Sequence, residues 1–184
     1  MKQKIIFLDI DGVLNGYDFW RLLGWNIACK LHIQEWYRKH TRNPFGIHEE
    51  KVKRLAKIIN KTDAKVVLSS SWRHAFRRTP YEDKKDDLKL FADLLEKYNI
   101  EIIDITPKSC DGRRDKEILT WLAHNEYYVE SYVILDDEKF DLECFVGSHL
   151  VQTKDKNKYY TSLGLKNKHV KQAISILNNP IKIN

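Results

Sequence analysis

The chain has 184 residues, of which 42% are hydrophobic and 32% charged, with only seven glycine and four proline residues. This length suits one domain with a single core, and the composition excludes collagen-like, low-complexity and fully disordered chains. Lys and Arg exceed Asp and Glu by 32 − 26 = 6, and the resulting net charge of +6 favours anionic partners such as nucleic acid, nucleotides or phosphorylated metabolites.

The cysteine residues and the first apolar segment indicate a compartment. Cys29, Cys110 and Cys144 are odd in number and widely spaced, so we expect reduced thiols rather than a disulfide partner or a structural zinc site. Four apolar residues precede Asp9, far fewer than the roughly 7 to 15 of a signal peptide or the roughly 20 of a membrane span. We therefore expect a cytoplasmic protein without membrane insertion.

Five short apolar segments, separated by helical patterns, predict an α/β fold with a mostly parallel central sheet. The first, second and fourth segments are almost continuously apolar, as strands buried on both faces require, so we expect the other two nearer the edges. The predicted strands cover residues 4–9, 65–69, 100–103, 132–135 and 149–152.

Apolar residues repeat at helical spacing between and after these strands, which predicts amphipathic helices over the sheet. The apolar repeats start at Val52, at Leu88 and at Val170, and the first of them belongs to a helix that begins near His48. A further helix starts near Asp115. Residues 16–46 do not fit this alternation and predict a small helical insertion within a single domain that covers 1–184.

Two carboxylates directly follow the first predicted strand, in the segment DIDGVLN. Asp9 and Asp11 therefore lie at the carboxyl end of a central strand, where open α/β sheets bind ligands. A D-x-D-G pattern also occurs in calcium loops, but the twelfth position of an EF-hand loop would here be Trp20 instead of Glu. The preceding strand favours the sheet-edge site.

Three further polar clusters follow or precede predicted elements. Serines 69–71 follow the second strand, arginines 113–114 precede a helix, and aspartates 136–137 follow the fourth strand. The carboxyl ends of parallel strands meet at one edge, where neighbouring carboxylates repel each other unless a cation lies between them. Oxygen ligands with room for water suit Mg²⁺, so the sequence predicts a magnesium site.

The order of these motifs resembles the four-motif signature of the haloacid dehalogenase (HAD) superfamily of phosphohydrolases. More narrowly, FLDIDGVLN, VVLSSSWR, ITP, RDKEILTWL, YVILDDE and LVQT resemble the small HAD domain of Swiss Army Knife RNA repair proteins. The resemblance covers nearly the whole chain. It implies a Rossmann-like, HAD-like three-layer fold with a small helical cap.

The resemblance also implies roles for the acidic residues. Asp9 matches the family nucleophile, which accepts a phosphoryl group to form an aspartyl-phosphate. Asp11 matches the general acid and base, and its backbone carbonyl is expected to contact Mg²⁺. Asp137 is implied as a Mg²⁺ ligand, with Asp136 beside it acting directly or through water.

The polar and basic residues are assigned with alternatives. Ser69 matches the hydroxyl that holds a phosphate oxygen, and Ser70 stays possible because three serines are consecutive. Arg114 would take the cationic role that Lys usually has in this family, with Arg113 or Lys116 as alternatives.

Arg73, in SSSWR, either clamps substrate phosphate or pairs with a surface carboxylate.

The insertion allows only a modest lid, and family members with little or no cap usually leave the site open to macromolecules. Aromatic and basic residues alternate within the insertion. They could stack on bases and bind the phosphate backbone of a nucleic acid. Alternatively, the aromatic residues could pack the lid on the body of the domain and the basic residues could form its solvent-exposed face. These residues are Trp20, Trp25, Trp36, Tyr37 and Phe45 with Arg21, Lys30, Arg38, Lys39, His40 and Arg42.

We therefore expect a Mg²⁺-dependent phosphomonoesterase that works through an aspartyl-phosphate, on the 3′ or 5′ phosphate of an RNA or DNA end or on a nucleotide. A phosphatase for a small phosphorylated metabolite is one alternative. A catalytically idle nucleic-acid-binding accessory protein is another. The sequence does not indicate an oligomeric state.

Overall fold

The computed structural model describes residues 2–15, 19–36, 46–154 and 164–179, with the backbone alone for residues 19–22. Within this part of the chain, five parallel strands form one sheet in the order β3-β2-β1-β4-β5. The strands are β1 (Gln3–Leu8), β2 (Lys65–Leu68), β3 (Ile102–Ile105), β4 (Val129–Asp136) and β5 (Leu150–Gln152).

The strand order puts the most apolar strands in the middle of the sheet. β1 lies between β2 and β4, and Leu8 is in register with both Leu68 and Leu135. β3 and β5 form the two edges, as their weaker apolar character predicts. The three central strands therefore end at the same level, and the residues that follow them are neighbours.

The described helices lie between and after these strands along the chain. They are α1 (Phe19–Lys30), α2 (Glu49–Thr62), α3 (Arg73–Arg78), α4 (Asp86–Lys97), α5 (Arg114–Asn125) and α6 (Asn167–Asn178). Short 3₁₀ turns occur at Tyr81–Asp83 and Glu143–Phe145. Among the described helices, none is both long and apolar enough to cross a bilayer.

The core forms two layers, one on each face of the sheet. On one face, α2, α4 and α6 contribute buried residues such as Leu55, Phe91 and Ala173 to the larger cluster. On the other face, α5 packs Ile118 and Trp121 against the sheet. This is the three-layer, Rossmann-like α/β arrangement that the sequence predicted.

From β1 the chain proceeds outward through β2 to β3 and then crosses to β4, so the topological switch point lies between β1 and β4.

Two local features differ from the prediction. The third strand covers Ile102–Ile105 rather than 100–103, because Asn99 adopts a φ of 51° and the Ile100 N–H donates to the carbonyl of Leu95 at 2.9 Å. Ile100 thus completes the end of α4, and the chain enters the sheet two residues later. Helix α3 was not predicted, because RHAFRR has no apolar repeat.

The predicted insertion, 16–46, contains α1. Trp25, Lys30 and Trp36 belong to the described residues, and 56% of the Trp36 surface is exposed. The other residues on which the base-stacking interpretation depends fall outside the described side chains. They are Trp20, Arg21, Tyr37, Arg38, Lys39, His40, Arg42 and Phe45. The interpretation stays a prediction.

Candidate active site

Three carboxylates meet at the switch point of the sheet. Asp9 directly follows β1, Asp136 is the last residue of β4, and Asp137 comes next. The register of Leu8 with Leu135 places these strand ends side by side. One ligand oxygen from each carboxylate lies within 4.8 Å of the others. The structure therefore brings three of the predicted metal ligands together, and their hard oxygen atoms are those that Mg²⁺ prefers.

Burial makes negative charge costly at this cluster. It raises the pKa of Asp136 to about 7, with the charge of Asp9 adding to the effect. It raises the pKa of Asp137 to about 6, with the neighbouring Glu138 adding. The pKa of Asp9 is also raised by burial, and the charge of Arg114 opposes this. A cation among the three carboxylates would relieve their repulsion.

Gly12 makes room for the third carboxylate. Its φ is +68°, and a Cβ at this position would lie 2.3 Å from Cγ of Asp137. The Thr153 hydroxyl donates to the carbonyl of Gly12 at 2.7 Å, and the Gln152 amide donates to the carbonyl of Asp137 at 3.1 Å. The D-x-D-G motif therefore needs glycine at its fourth position for both its backbone conformation and its contact with Asp137.

One guanidinium group bridges the cluster. Arg114 is the first residue of α5, and its Nη1 lies 3.2 Å from Oδ1 of Asp9 and 3.4 Å from Oδ2 of Asp136. The same nitrogen donates to the carbonyl of Ser69. Burial acts to lower the pKa of Arg114, but the charges of Asp9 and Asp136 outweigh it and raise the pKa. This cation can neutralise charge on a phosphoryl group that reaches Asp9.

The other two candidates for the cationic role lie elsewhere. Arg113 forms an ion pair with Asp115 at 2.7 Å, and Lys116 pairs with Asp111. Of these three basic residues, all within the described chain, Arg114 is the one that the structure brings to the carboxylate cluster. No substrate contact is shown for Arg113 or Lys116, so their assignment to substrate binding stays a prediction.

The two serine candidates play different parts. The Ser70 side chain interacts with the carboxylate of Asp9 and acts to lower the pKa of Asp9. The Ser69 hydroxyl is buried and has no hydrogen-bond partner within the described part of the chain, while its carbonyl accepts from Arg114. The hydroxyl next to the predicted nucleophile is therefore that of Ser70.

Arg73, the first residue of α3, is almost fully buried. Its Nη2 lies 2.7 Å from Oε1 of Glu117, and its Nη1 donates to the carbonyl of Ser70 at 2.9 Å. The same Glu117 oxygen accepts from the N–H of Ser109 at 3.3 Å. Both side chains of the pair are less than 10% exposed. The pair joins the serine loop to α5, a contact between two distant segments that sequence reasoning missed.

Asp11 is exposed and its carboxylate stands apart from the three-carboxylate cluster. Asn15 Nδ2 donates to one of its oxygens at 2.8 Å, and Trp72 Nε1 donates to the other at 3.0 Å. The Gly12 N–H in turn donates to the Asn15 side chain at 2.7 Å. Sequence reasoning missed both donors, although Asn15 and Trp72 lie within the segments DIDGVLN and SSSWR that carry the resemblance.

The comparisons with known proteins concern nearly the whole chain. The family model described as the HAD domain in Swiss Army Knife RNA repair proteins matches residues 5–170. No curated protein matches the chain. Among solved structures, the chain is similar to a phosphoserine phosphohydrolase-like protein from Francisella tularensis subsp. tularensis SCHU S4. The two share 13% sequence identity with a TM-score of 0.34, over 79% of this chain and 82% of that chain.

Proposed function

Because the chain belongs to the family of HAD domains in Swiss Army Knife RNA repair proteins, we propose that it is a Mg²⁺-dependent phosphomonoesterase that uses Asp9 as its nucleophile. One observation carries this proposal. One carboxylate oxygen from each of Asp9, Asp136 and Asp137 lies within 4.8 Å of the other two. The guanidinium of Arg114 contacts Asp9 and Asp136. Such an arrangement combines a nucleophile, a divalent-cation site and a charge that stabilises phosphoryl transfer.

The first step transfers the phosphoryl group to the protein. An Asp9 oxygen forms a bond to phosphorus while the bond from phosphorus to the leaving oxygen breaks, which yields an aspartyl-phosphate and an alcohol. Arg114, at 3.2 Å from Asp9, neutralises charge on the phosphoryl oxygens during transfer. The Ser70 hydroxyl, which interacts with Asp9, donates a hydrogen bond to one of these oxygens.

Asp11 supplies and removes the protons. In its protonated form it gives a proton to the leaving oxygen as that bond breaks, and the resulting carboxylate then takes a proton from water. This water attacks phosphorus, breaks its bond to Asp9 and releases inorganic phosphate. The exposed position of Asp11, outside the carboxylate cluster, suits a group that must meet the leaving group.

Asp9, Asp136 and Asp137 would hold the Mg²⁺, with the backbone carbonyl of Asp11 as a further oxygen ligand. When bound, the ion supplies positive charge that lets an anionic phosphate approach an anionic nucleophile. The donor set fits the ion, because two buried carboxylates and one half-buried carboxylate, all with raised pKa values, are stabilised by a divalent charge between them.

We propose a nucleic-acid end as the substrate. The family is described by its occurrence in RNA repair proteins, and the chain has a net charge of +6, which favours polyanions. A panel of 3′- and 5′-phosphorylated oligonucleotides, nucleotides and sugar phosphates tests this. Preferential release of phosphate from an oligonucleotide end supports the proposal, whereas efficient hydrolysis of sugar phosphates with oligonucleotides untouched would indicate a metabolite phosphatase. Oligonucleotide binding without phosphate release would indicate an accessory protein.

The nucleophile is tested by Asp9→Asn. We expect this variant to lose roughly 10³-fold or more of its p-nitrophenyl phosphate hydrolysis with Mg²⁺, because an amide is a poor nucleophile and cannot form the aspartyl-phosphate. Asp111→Asn is the matched control, since Asp111 pairs with Lys116 outside the cluster. Full turnover by Asp9→Asn would contradict the proposed mechanism.

A further inference from the structure

Trp72, in the loop that follows β2, contacts Asp11, the proposed proton-transfer residue. Its indole Nε1 donates to Oδ2 of Asp11 at 3.0 Å, across 61 residues of sequence. We propose that Trp72 is a positioning residue, which orients the carboxyl group of Asp11 for proton transfer to a poor, alcohol-type leaving group. This inference rests on the proposed phosphatase activity. It adds a role for Trp72 and predicts that the effect of Trp72 depends on the leaving group of the substrate.

Contacts of both the backbone and the side chain fix the position of Trp72. Its backbone N–H donates to the Ser70 hydroxyl oxygen at 3.3 Å, and its side chain is partly buried against the larger core cluster. The ring therefore has little freedom to move away from Asp11. Because Ser70 also contacts Asp9, the loop after β2 carries both a group at the nucleophile and a group at the general acid.

The second donor shows why Trp72 matters. Asn15 is buried and holds Oδ1 of Asp11 at 2.8 Å, and its own position is set by the Gly12 N–H. A single donor would leave the carboxyl group free to turn about that one hydrogen bond. With Asn15 on one oxygen and Trp72 on the other, both torsions of the exposed Asp11 side chain are restrained. Pre-orientation of a general acid lowers the barrier only for a reaction that needs its proton.

The need for that proton depends on the leaving group. An alkoxide from a sugar or nucleotide must be protonated as its bond to phosphorus breaks, whereas p-nitrophenolate is stable enough to leave without a proton. A defect in the positioning of Asp11 therefore slows the hydrolysis of alkyl phosphates and spares p-nitrophenyl phosphate. A general loss of structure would slow both reactions alike.

The test measures kcat/KM of Trp72→Phe on p-nitrophenyl phosphate and on the alkyl phosphate from the panel that the wild-type chain hydrolyses best. This constant reports the steps up to phosphoryl transfer, so slow hydrolysis of the aspartyl-phosphate does not mask the effect. We expect a loss of about tenfold on the alkyl phosphate, within the range of general acid catalysis, and less than about twofold on p-nitrophenyl phosphate. Equal losses on the two substrates, or none, would overturn the proposal.

Trp121→Phe is the matched control. Trp121 Nε1 also donates to an aspartate, Asp104, at 2.7 Å, but this pair lies away from Asp11. The control removes the same kind of hydrogen bond, and we expect it to leave the ratio of the two kcat/KM values unchanged. A change of that ratio in Trp121→Phe as large as in Trp72→Phe would assign the effect to general destabilisation and contradict the proposal.

Two further variants separate the possible explanations. Replacement of Trp72 by 3-benzothienylalanine keeps the bicyclic shape and removes only the N–H, so it must reproduce the altered ratio even where phenylalanine disturbs packing. In an Asp11→Asn background, Trp72→Phe must cause no further change of the ratio, because Trp72 acts through Asp11. A wild-type chain that hydrolyses neither substrate contradicts the proposed function itself, whereas an active chain with an unchanged ratio contradicts only the role of Trp72.

Discussion

At Gly12 a missing side chain determines whether the carboxylate cluster can form. The residue has a φ of +68°, and the side chain of Asp137 occupies the space that a Cβ of residue 12 would need. We predict that Gly12→Ala displaces Asp137, lowers phosphatase activity at least about tenfold and weakens the response of the melting temperature to Mg²⁺. The free energy of unfolding should fall by about 1 to 3 kcal/mol, from the left-handed backbone and the clash together.

A second glycine separates these two causes. Gly112 has nearly the same φ, +70°, but a Cβ there would meet nothing within 4 Å. Gly112→Ala should therefore lose only the part of stability that comes from the backbone, about 1 kcal/mol, and keep the Mg²⁺ response. Thermal unfolding with Mg²⁺ and with EDTA measures both variants. Equal losses of Mg²⁺ response would show that the contact with Asp137 is unimportant.

At the scale of secondary-structure elements, the Arg73–Glu117 pair connects the serine loop to α5. It is buried, with an N–O distance of 2.7 Å. We predict that Arg73→Met destabilises the chain by about 3 to 5 kcal/mol, because it leaves the charge of Glu117 buried without its counter-charge. The double variant Arg73→Met/Glu117→Met should recover much of that loss, since two apolar side chains of similar volume need no counter-charge.

The exposed pair Lys65–Glu101 is the matched control for this prediction. It has a similar N–O distance of 3.0 Å, but 36% and 67% of its side chains are exposed. Lys65→Met should change the free energy of unfolding by no more than about 1 kcal/mol. Urea unfolding curves compare the variants. A double variant as unstable as Arg73→Met would contradict the argument from charge burial.

Much of the element scale follows from the sequence. Apolar runs that end in polar residues predicted the central strands, and parallel strands place their ends at one edge, which brings Asp9 and Asp136 together. Contacts that depend on helical phase could not be predicted. In the run RRDK, successive helical residues point about 100° apart, so the residues alone do not reveal that Arg114, and not Arg113, faces Asp9. The family resemblance is what favours Arg114. The choice between Ser69 and Ser70 likewise depends on a register difference of one residue.

At the scale of the whole molecule, the carboxylate cluster lowers the free energy of unfolding of the metal-free chain when its carboxylates are ionised. The folded pKa values of Asp136, about 7, and Asp137, about 6, lie above those of unfolded aspartates, so the folded chain binds their protons more tightly. The free energy of unfolding contributed by these groups is therefore greatest at low pH and falls as the pH rises from about 4 to about 7. A buried histidine, His149, acts in the opposite direction below about pH 6.5, because burial lowers its pKa.

Comparison of Asp136→Asn with the wild-type chain isolates the carboxylate contribution, because both proteins retain His149. In EDTA near pH 8, we predict that Asp136→Asn melts several degrees higher than the wild-type chain, since it removes a buried charge from the cluster. Near pH 5 the difference should shrink, because Asp136 is then largely protonated in the fold. Mg²⁺ should raise the melting temperature of the wild-type chain more at pH 8 than at pH 5, because the ion and the proton compete for the same oxygens. Asp136→Asn, which keeps the volume of the side chain but loses its charge, should show little of this response.

Melting temperatures for the two proteins at both pH values, with Mg²⁺ and with EDTA, test these expectations together. A wild-type chain whose stability in EDTA does not decline relative to Asp136→Asn as the pH rises would show that the cluster carries no repulsion for a metal ion to relieve.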